Sequence, residues 1–571
     1  MPILDPRDGD IEDDASSTHQ RSLLSLAGSL LGEISLPKLV MIWVMLLLLP
    51  ALALGLAPLL VSAWVIAVWS KTAGLLTELV PTLLLPVLVA AGWFGGRRVL
   101  RLAESSFWSL NALAVQPVYV ICRESLRHLA EAWLPADVSA DRRATIRAIC
   151  AALSGVVLFL LGLGVIALLW PATHWVGLIA ELTHVRTLVP ILLANSATII
   201  TAYCAGANLV WGVHDALMPQ PRDLEQLDPP VAGARTWRVV HLSDLHTVGE
   251  RYGFRIESGR AGPRGNDRLW QTFARLDEIH RRDPLDVIMI TGDLTDAGRS
   301  AEWVEFMRVV EAYPDLASRI VALPGNHDVN VVDRTSPARM DTPLSPTKRL
   351  RQMRTLSALE QMQGSRLHVI ENGALGRTVS DMVRPAAGDM AAFADTGAPR
   401  RLSRSLEQLW DNTFPMILPP ETPHGLGILA LNSNADTHFS FTNALGLLPV
   451  EQMRRVKDAL RLYPRACWII ALHHHVIEYP RKTRLLSMRI GTALINGSWA
   501  MRQLQAFAGR GIVMHGHRHV DWFGRCGALK IISAPSQVMA REAPYCHVHT
   551  LAIGPDQRLH LCATDRVDIP A

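Results

Sequence analysis

Five short clusters of Asp, His and Asn punctuate this 571-residue chain between Asp244 and His519, and those side chains are the oxygen and nitrogen donors that divalent cations take. The first is Asp244-Leu245-His246 in HLSDLH, a carboxylate and an imidazole two residues apart that can converge on one cation. Alone, such a pair is more often a solvent-facing turn. The second is Gly292-Asp293 in ITGDLTDAG, where glycine permits a tight turn that leaves an aspartate at a sheet edge. The third, Gly325-Asn326-His327-Asp328 in LPGNHD, offers a neutral oxygen ligand, an imidazole and a carboxylate able to orient it. The fourth is His473-His474-His475, which packing alone explains poorly, although one or two of the three read as structural. The fifth, Gly516-His517-Arg518-His519 in VMHGHRH, sets two imidazoles one residue apart. Each is bland by itself. Together, in one order and each after an apolar run, they form the mixed donor set that two adjacent divalent ions require.

The runs that must position these clusters read as strands: Trp237 to His241, Asp286 to Ile290, Arg319 to Leu323, Gly427 to Leu431, Trp468 to Leu472 and Ile512 to Met514. Leu529 to Ser533 and His547 to Ile553 add further strand-like text near the end. Leu269, Trp270, Phe273, Leu276 and Ile279 share one helical face, as do Met453, Val456 and Leu460, so helices separate several strands. The expectation is an α/β domain with its polar clusters at strand ends, where such sheets build their sites.

DxH, GD, GNHD, a strand-end His and GHxH, in that order, resemble the signature of the calcineurin-like metallophosphoesterase superfamily over roughly Arg235 to Ser536. The wording is closest to the bacterial class III cyclic-nucleotide phosphodiesterase branch. The resemblance implies a four-layer α-β-β-α sandwich and two divalent metal ions (Mn, Fe, Zn or similar). It also implies hydrolysis of phosphate esters by a metal-bridging hydroxide. Carried over residue by residue, Asp244, His246 and His519 would hold one metal, Asn326, His473 and His517 the other, and Asp293 would bridge both. His327 would sit over the substrate as proton donor or phosphate clamp, with Asp328 steadying it. The family often reads HHP at the fourth cluster, whereas this chain reads His473-His474-His475-Val476; His473 is taken as the ligand, with His474 as the fallback. The implied substrate is a cyclic nucleotide, another nucleotide or a lipid-linked phosphate. The rival from another class is a non-catalytic metal-binding sensor or scaffold, which an intact ligand set argues against.

The rest of the chain reads differently. With 49% hydrophobic and 19% charged residues, the sequence is too long for one core and too apolar to be uniformly soluble. Residues 1–38 read as a disordered or interfacial tail, 39–213 as an all-α membrane region, 214–234 as a Pro-bearing linker and 235–571 as the α/β domain. Four membrane-spanning helices are expected: Leu39 to Ser70, Leu79 to Gly96, Ala148 to Trp170 and Thr187 to Gly212. The second connection carries Arg97, Arg98, Arg101, Arg123, Arg127, Arg142, Arg143 and Arg147, which places it, both termini and the catalytic half on the cytoplasmic side of the cell membrane. Polar residues on the last span, Asn195, Thr198, Thr201 and Asn208, suit helix packing better than transport.

A net charge of +4 carries no nucleic-acid footprint, and the seven scattered cysteines form no framework that fixes a redox compartment. Two basic groups remain: Arg334, Arg339, Lys348, Arg349, Arg351 and Arg354 within the insert 330–426, and Arg481, Lys482, Arg484 and Arg489 after the His run. They read either as solvated loop charge or as attraction for an anionic substrate or membrane lipid headgroups.

Overall fold

The computed structural model describes residue 44 and residues 48–75, 111–135, 138–177, 185–250, 252–259, 262–333, 339, 341, 346–396, 400–437, 439–481, 486–539 and 543–570. They fall into two compact units, one ending at Met218 and the other beginning at Pro219. The expected tail, the second span and the first three arginines of the second connection lie outside the described residues.

The first unit is helical: α1 Leu49–Leu75, α2 Gln116–Trp133, α3 Ala140–Leu169 and α4 Val185–Leu217. Ser139 caps α3, its Oγ accepting from the Arg142 N–H at 3.4 Å. Beyond Arg147 the helix is apolar to its end, with Leu153, Leu160, Leu161 and Leu168 exposed. Among the described residues, two helices are long and apolar enough to cross a membrane, Ala140–Ala172 and Arg186–Leu217. They pack against each other through small residues. A Cβ on Gly155 would lie 2.9 Å from Gly212 Cα, so the two backbones touch there and glycine is required on both sides. Asn195 of α4 is buried and donates to Gly55 O of α1 at 3.3 Å and to His174 O at 2.6 Å, an interhelical role.

The second connection, whose arginines set the expected orientation, is helical in part. It contains α2, which turns its charged side inward: Glu124, Arg127 and Glu131 are buried, whereas Val118, Ile121, Leu129 and Trp133 are exposed. Arg123 Nη1 lies 2.7 Å from Asp215, Arg127 Nη1 2.8 Å from Glu124, and Arg147 Nε 3.6 Å from Glu131. Burying these charges costs several kcal/mol apiece unless each finds an opposite partner, which is the arrangement found. These three arginines therefore serve the helical unit and do not weigh as free loop charge.

The second unit is built on two sheets. Five strands run in the order β14-β13-β2-β3-β4, and nine, beginning with β1 (Pro221–Asp223), in the order β1-β11-β12-β10-β9-β8-β7-β5-β6. In the first sheet β2 (Thr236–Leu242), β3 (Val287–Ile290) and β4 (Ile320–Ala322) are parallel, flanked by the antiparallel β13 (Tyr545–Ile553) and β14 (Leu559–Asp568). In the second, β8 (Leu426–Ala430), β9 (Cys467–Ala471), β10 (Gly511–His515) and β12 (Leu529–Ser533) are parallel. The antiparallel β11 (Trp522–Cys526) and β7 (Met416–Leu418) flank them. The central strands are continuous apolar runs because both faces are buried: VIMI, CWIIA and GIVMH are buried throughout. Val240, Ile288, Ile469 and Ile512 belong to one continuous core, so the two sheets share their apolar interior.

Parallel neighbours need crossovers, which α5 (Asp267–Arg282), α6 (Ser300–Ala312), α9 (Val450–Leu462) and α10 (Gly497–Leu504) supply. Register aligns their ends. Leu242 pairs with Ile290 and Ile290 with Ala322; Ala430 pairs with Ala471 and Ala471 with Met514.

Among its described residues, the insert contains helices and strands. It forms α7 (Pro346–Gln363), β5 (His368–Glu371), β6 (Ala374–Thr378) and α8 (Arg400–Thr413). Arg351, Arg354 and Arg489 are buried, Arg349 Nη2 is 3.1 Å from Glu407, and Lys348 pairs with Asp436. Solvated loop charge, one of the two readings, does not describe these residues: they are buried or paired with carboxylates. Arg334, Lys482 and Arg484 lie outside the described residues.

Candidate metal centre

The aligned strand ends place the five clusters side by side. Asp244 follows β2, Asp293 follows β3, Asn326 follows β4, His473 follows β9, and His517 and His519 follow β10. The loops are stitched to one another. Asp244 N donates to Gly292 O at 3.0 Å, His246 N to Asp293 O at 2.9 Å, and Gly516 N to His473 O at 3.0 Å. The chain turns so sharply at these ends that Asp244, His246, Asp293, His517 and His519 all take positive φ, between 40° and 74°. That conformation is uncommon for residues other than glycine, and its concentration here marks a site whose geometry is imposed by the surrounding fold. Gly325 is required by close approach: a Cβ there would lie 2.1 Å from Asp293 Oδ1.

The side chains converge as two linked groups. His246 Nε2 lies 3.4 Å from His519 Nε2, and His519 Nε2 lies 3.4 Å from Asp244 Oδ1. His473 Nε2 lies 3.0 Å from Asn326 Oδ1 and 3.1 Å from His517 Nδ1. Asp293 joins them, its Oδ2 being 3.3 Å from His473 Nε2 and 3.7 Å from His246 Nε2. Asp244, His246 and His519 can hold a metal ion, as can Asp293, His473 and His517; His246, Asp293 and His327 form a third such group.

A divalent cation fits this donor set. Imidazole nitrogens face one another and face amide and carboxylate oxygens, and such lone pairs can converge without repulsion only around shared protons or cations. Among the side chains themselves, burial would raise the Asp293 carboxyl, but His473, His327 and His246 outweigh it and hold it well below the usual carboxylate range. Burial likewise opposes the charged form of His473, which Asp293 nevertheless pushes up to about 9. His519 is pushed up to about 9 against its burial by Glu257 and Asp244. Burial holds His517 well below the imidazole range.

Of the three consecutive histidines, His473 enters the cluster. His474 turns its Nδ1 to Ser433 Oγ at 2.9 Å instead. His327 is buried, with its Nδ1 2.7 Å from Asp296 O, so that Nδ1–H donates and Nε2 is left to the cluster. Asp328 does not hold that ring. Its carboxylate accepts from Gly325 N at 2.8 Å, Thr295 N at 2.8 Å and Thr295 Oγ1 at 2.6 Å, binding the second cluster's turn to the third's. Its expected part in steadying His327 is thus indirect, through backbone.

Three functional neighbours carried no assignment in the sequence. Asp296, within ITGDLTDAG, places Oδ1 3.2 Å from His246 Nδ1 and orients that ring. Glu257 brings a carboxylate to His246 and His519 from a loop with no motif. Arg518, between His517 and His519, donates from Nη1 to both carboxylate oxygens of buried Glu478 at 2.6 and 2.7 Å, fastening the fifth cluster to the segment after the fourth. Glu478→Ala leaves that guanidinium buried and without its carboxylate, so a loss of about 3–5 kcal/mol is expected. Chemical denaturation followed by Trp fluorescence measures it, and an unchanged midpoint contradicts the assignment.

Residues 238–378 match the family model described as calcineurin-like phosphoesterase. The chain therefore carries a calcineurin-like phosphoesterase domain, and the matched segment includes Asp244, His246, Asp293, Asn326, His327 and Asp328. No curated protein matches. Among solved structures, the chain is similar to a dimetal phosphatase from Danio rerio, at 12% identity and TM-score 0.35, covering 58% of this chain and 99% of that one. It is also similar to a purple acid phosphatase from seeds of yellow lupin (Lupinus luteus), at 11% identity and TM-score 0.26, covering 57% of this chain and 50% of that one. At that level of likeness neither structure bears on substrate or mechanism.

Proposed function

We propose that this protein is a membrane-anchored, metal-dependent phosphoesterase with a dinuclear centre. Asp244, His246 and His519 would hold one divalent ion, Asn326, His473 and His517 the other, and Asp293 both. The observation that carries this is the position of Asp293 Oδ2, between His473 Nε2 at 3.3 Å and His246 Nε2 at 3.7 Å, one imidazole from each group. Bound divalent ions supply Lewis acidity and an activated water at neutral pH.

The chain's own residues do the rest. Asp296 fixes the His246 ring through Nδ1 and, by its carbonyl, leaves His327 Nε2 as the atom that exchanges a proton. Burial lowers the His327 pKa, and the charge of an arriving phosphate raises it again, so the ring takes up a proton as substrate binds and returns it to the departing oxygen. The phosphoesterase match supports a phosphate-ester substrate. Within that class we propose a phosphodiester or nucleotide, with lipid-linked phosphate as the alternative that an anchor favours.

Anchoring rests on the two long apolar helices. Arg142 and Arg143, at the start of one of them, support a cytoplasmic start for that helix. The test is hydrolysis by the purified full-length protein after metal exchange, across phosphomonoesters, phosphodiesters, cyclic nucleotides and lipid pyrophosphates. Turnover that needs added metal is expected. Metal bound at equilibrium without turnover on any of these sinks the proposal in favour of a sensor.

A further inference from the structure

Beside the group formed by Asp244, His246 and His519 stands a further carboxylate that no motif announces. Glu257 Oε2 lies 3.6 Å from His519 Nε2 and 3.9 Å from His246 Nε2. Those nitrogens are themselves 3.4 Å apart, and His519 Nε2 is 3.4 Å from Asp244 Oδ1. Donor atoms about 2.0–2.2 Å from one cation sit about 3.0–3.5 Å from each other in octahedral or tetrahedral sets. The Glu257 oxygen thus lies 3.6 and 3.9 Å from two nitrogens that are themselves 3.4 Å apart, just outside that spacing.

The loop that carries it is fixed in place. Ile256 N donates to Asp296 Oδ2 at 2.7 Å, and the Ile256 side chain is buried with Ala297 and Val332. Arg255 is buried and donates to Pro263 O at 3.0 Å and Gly265 O at 2.8 Å, closing the loop on itself. Asp296 spends its other oxygen on His246 Nδ1, at 3.2 Å. One carboxylate thus sets the orientation of a donor ring and the position of the residue next to Glu257, so that ring and loop are held in register.

We infer that Glu257 is a further ligand to the cation held by Asp244, His246 and His519, an assignment that rests on the dinuclear reading above. Its chemistry is that of a hard anionic oxygen: it raises the negative charge around one ion of the pair and favours oxygen-seeking cations such as Mn(II) there. The Glu257 side chain is 20% exposed, so Gln fits in its place without repacking a core.

The experiment loads the full-length protein with Mn(II), titrates it with EDTA and counts the metal retained by mass spectrometry, for the wild type, Glu257→Gln and Asp293→Asn. Glu257→Gln is expected to release one equivalent at an EDTA concentration at least about 10-fold lower than the wild type, with its metal-free melting temperature unchanged. Asp293→Asn is expected to lose both. If Glu257→Gln retains both equivalents as the wild type does while Asp293→Asn empties, this inference is overturned and the dinuclear reading stands. If the wild type holds no metal when loaded in turn with Mn(II), Fe(II) and Zn(II), both fall together.

Discussion

Asp293→Asn is expected to lower kcat/KM by more than about 10³-fold and to leave the purified protein with little bound metal. The size of the effect follows from position. Asp293 Oδ2 is the oxygen that lies near an imidazole of each group, and its other oxygen, Oδ1, accepts from His327 N at 2.9 Å. Asn keeps the shape and one oxygen but removes the negative charge that the surrounding imidazoles stabilise. It also brings an amide NH₂ into contact with ring nitrogens, or turns it toward a backbone N–H that needs an acceptor. Both orientations are unfavourable, and the protein has no third. The same substitution measured for metal content separates two causes: loss of activity together with metal is the expected pattern, whereas wild-type turnover from Asp293→Asn would falsify the shared-ligand assignment.

The site was more legible than the architecture around it. Its residues fall at the ends of strands buried on both faces, and such strands announce themselves as unbroken apolar runs, as in VIMI and CWIIA. A polar cluster after each run then has few places to go except the shared sheet edge. Strands without that signal were missed. β6 is largely exposed and β14 is mixed in burial, so neither shows a clean period. The insert was read through its arginines, yet Arg351 and Arg354 are buried, and charge in a sequence does not say whether an ion pair will bury it. α2 misled in the same way: its polar face is the inner one, the reverse of the pattern by which a helix in water is recognised. Glu257 could not have been found at all, because its role depends on a loop bonded to Asp296, some forty residues later.

His327 is the residue whose replacement separates chemistry from metal binding. With Nδ1–H held by Asp296 O at 2.7 Å, its Nε2 is free to exchange a proton and lies in the group formed with His246 and Asp293. If it serves as the acid, His327→Ala lowers kcat by roughly 10²–10⁴-fold while metal content stays at the wild-type level. The loss also depends on what departs. A p-nitrophenolate needs no proton, so an aryl ester is expected to lose far less than an alkyl ester or a nucleotide, whose alkoxide leaves poorly without one. A phosphate clamp predicts something else, an equal loss on both esters expressed largely in KM. A metal ligand predicts a third result, release of metal before any change in leaving-group dependence. The acid role therefore stands on one comparison, aryl against alkyl ester in the same metal-loaded variant, and a uniform loss across the two removes it.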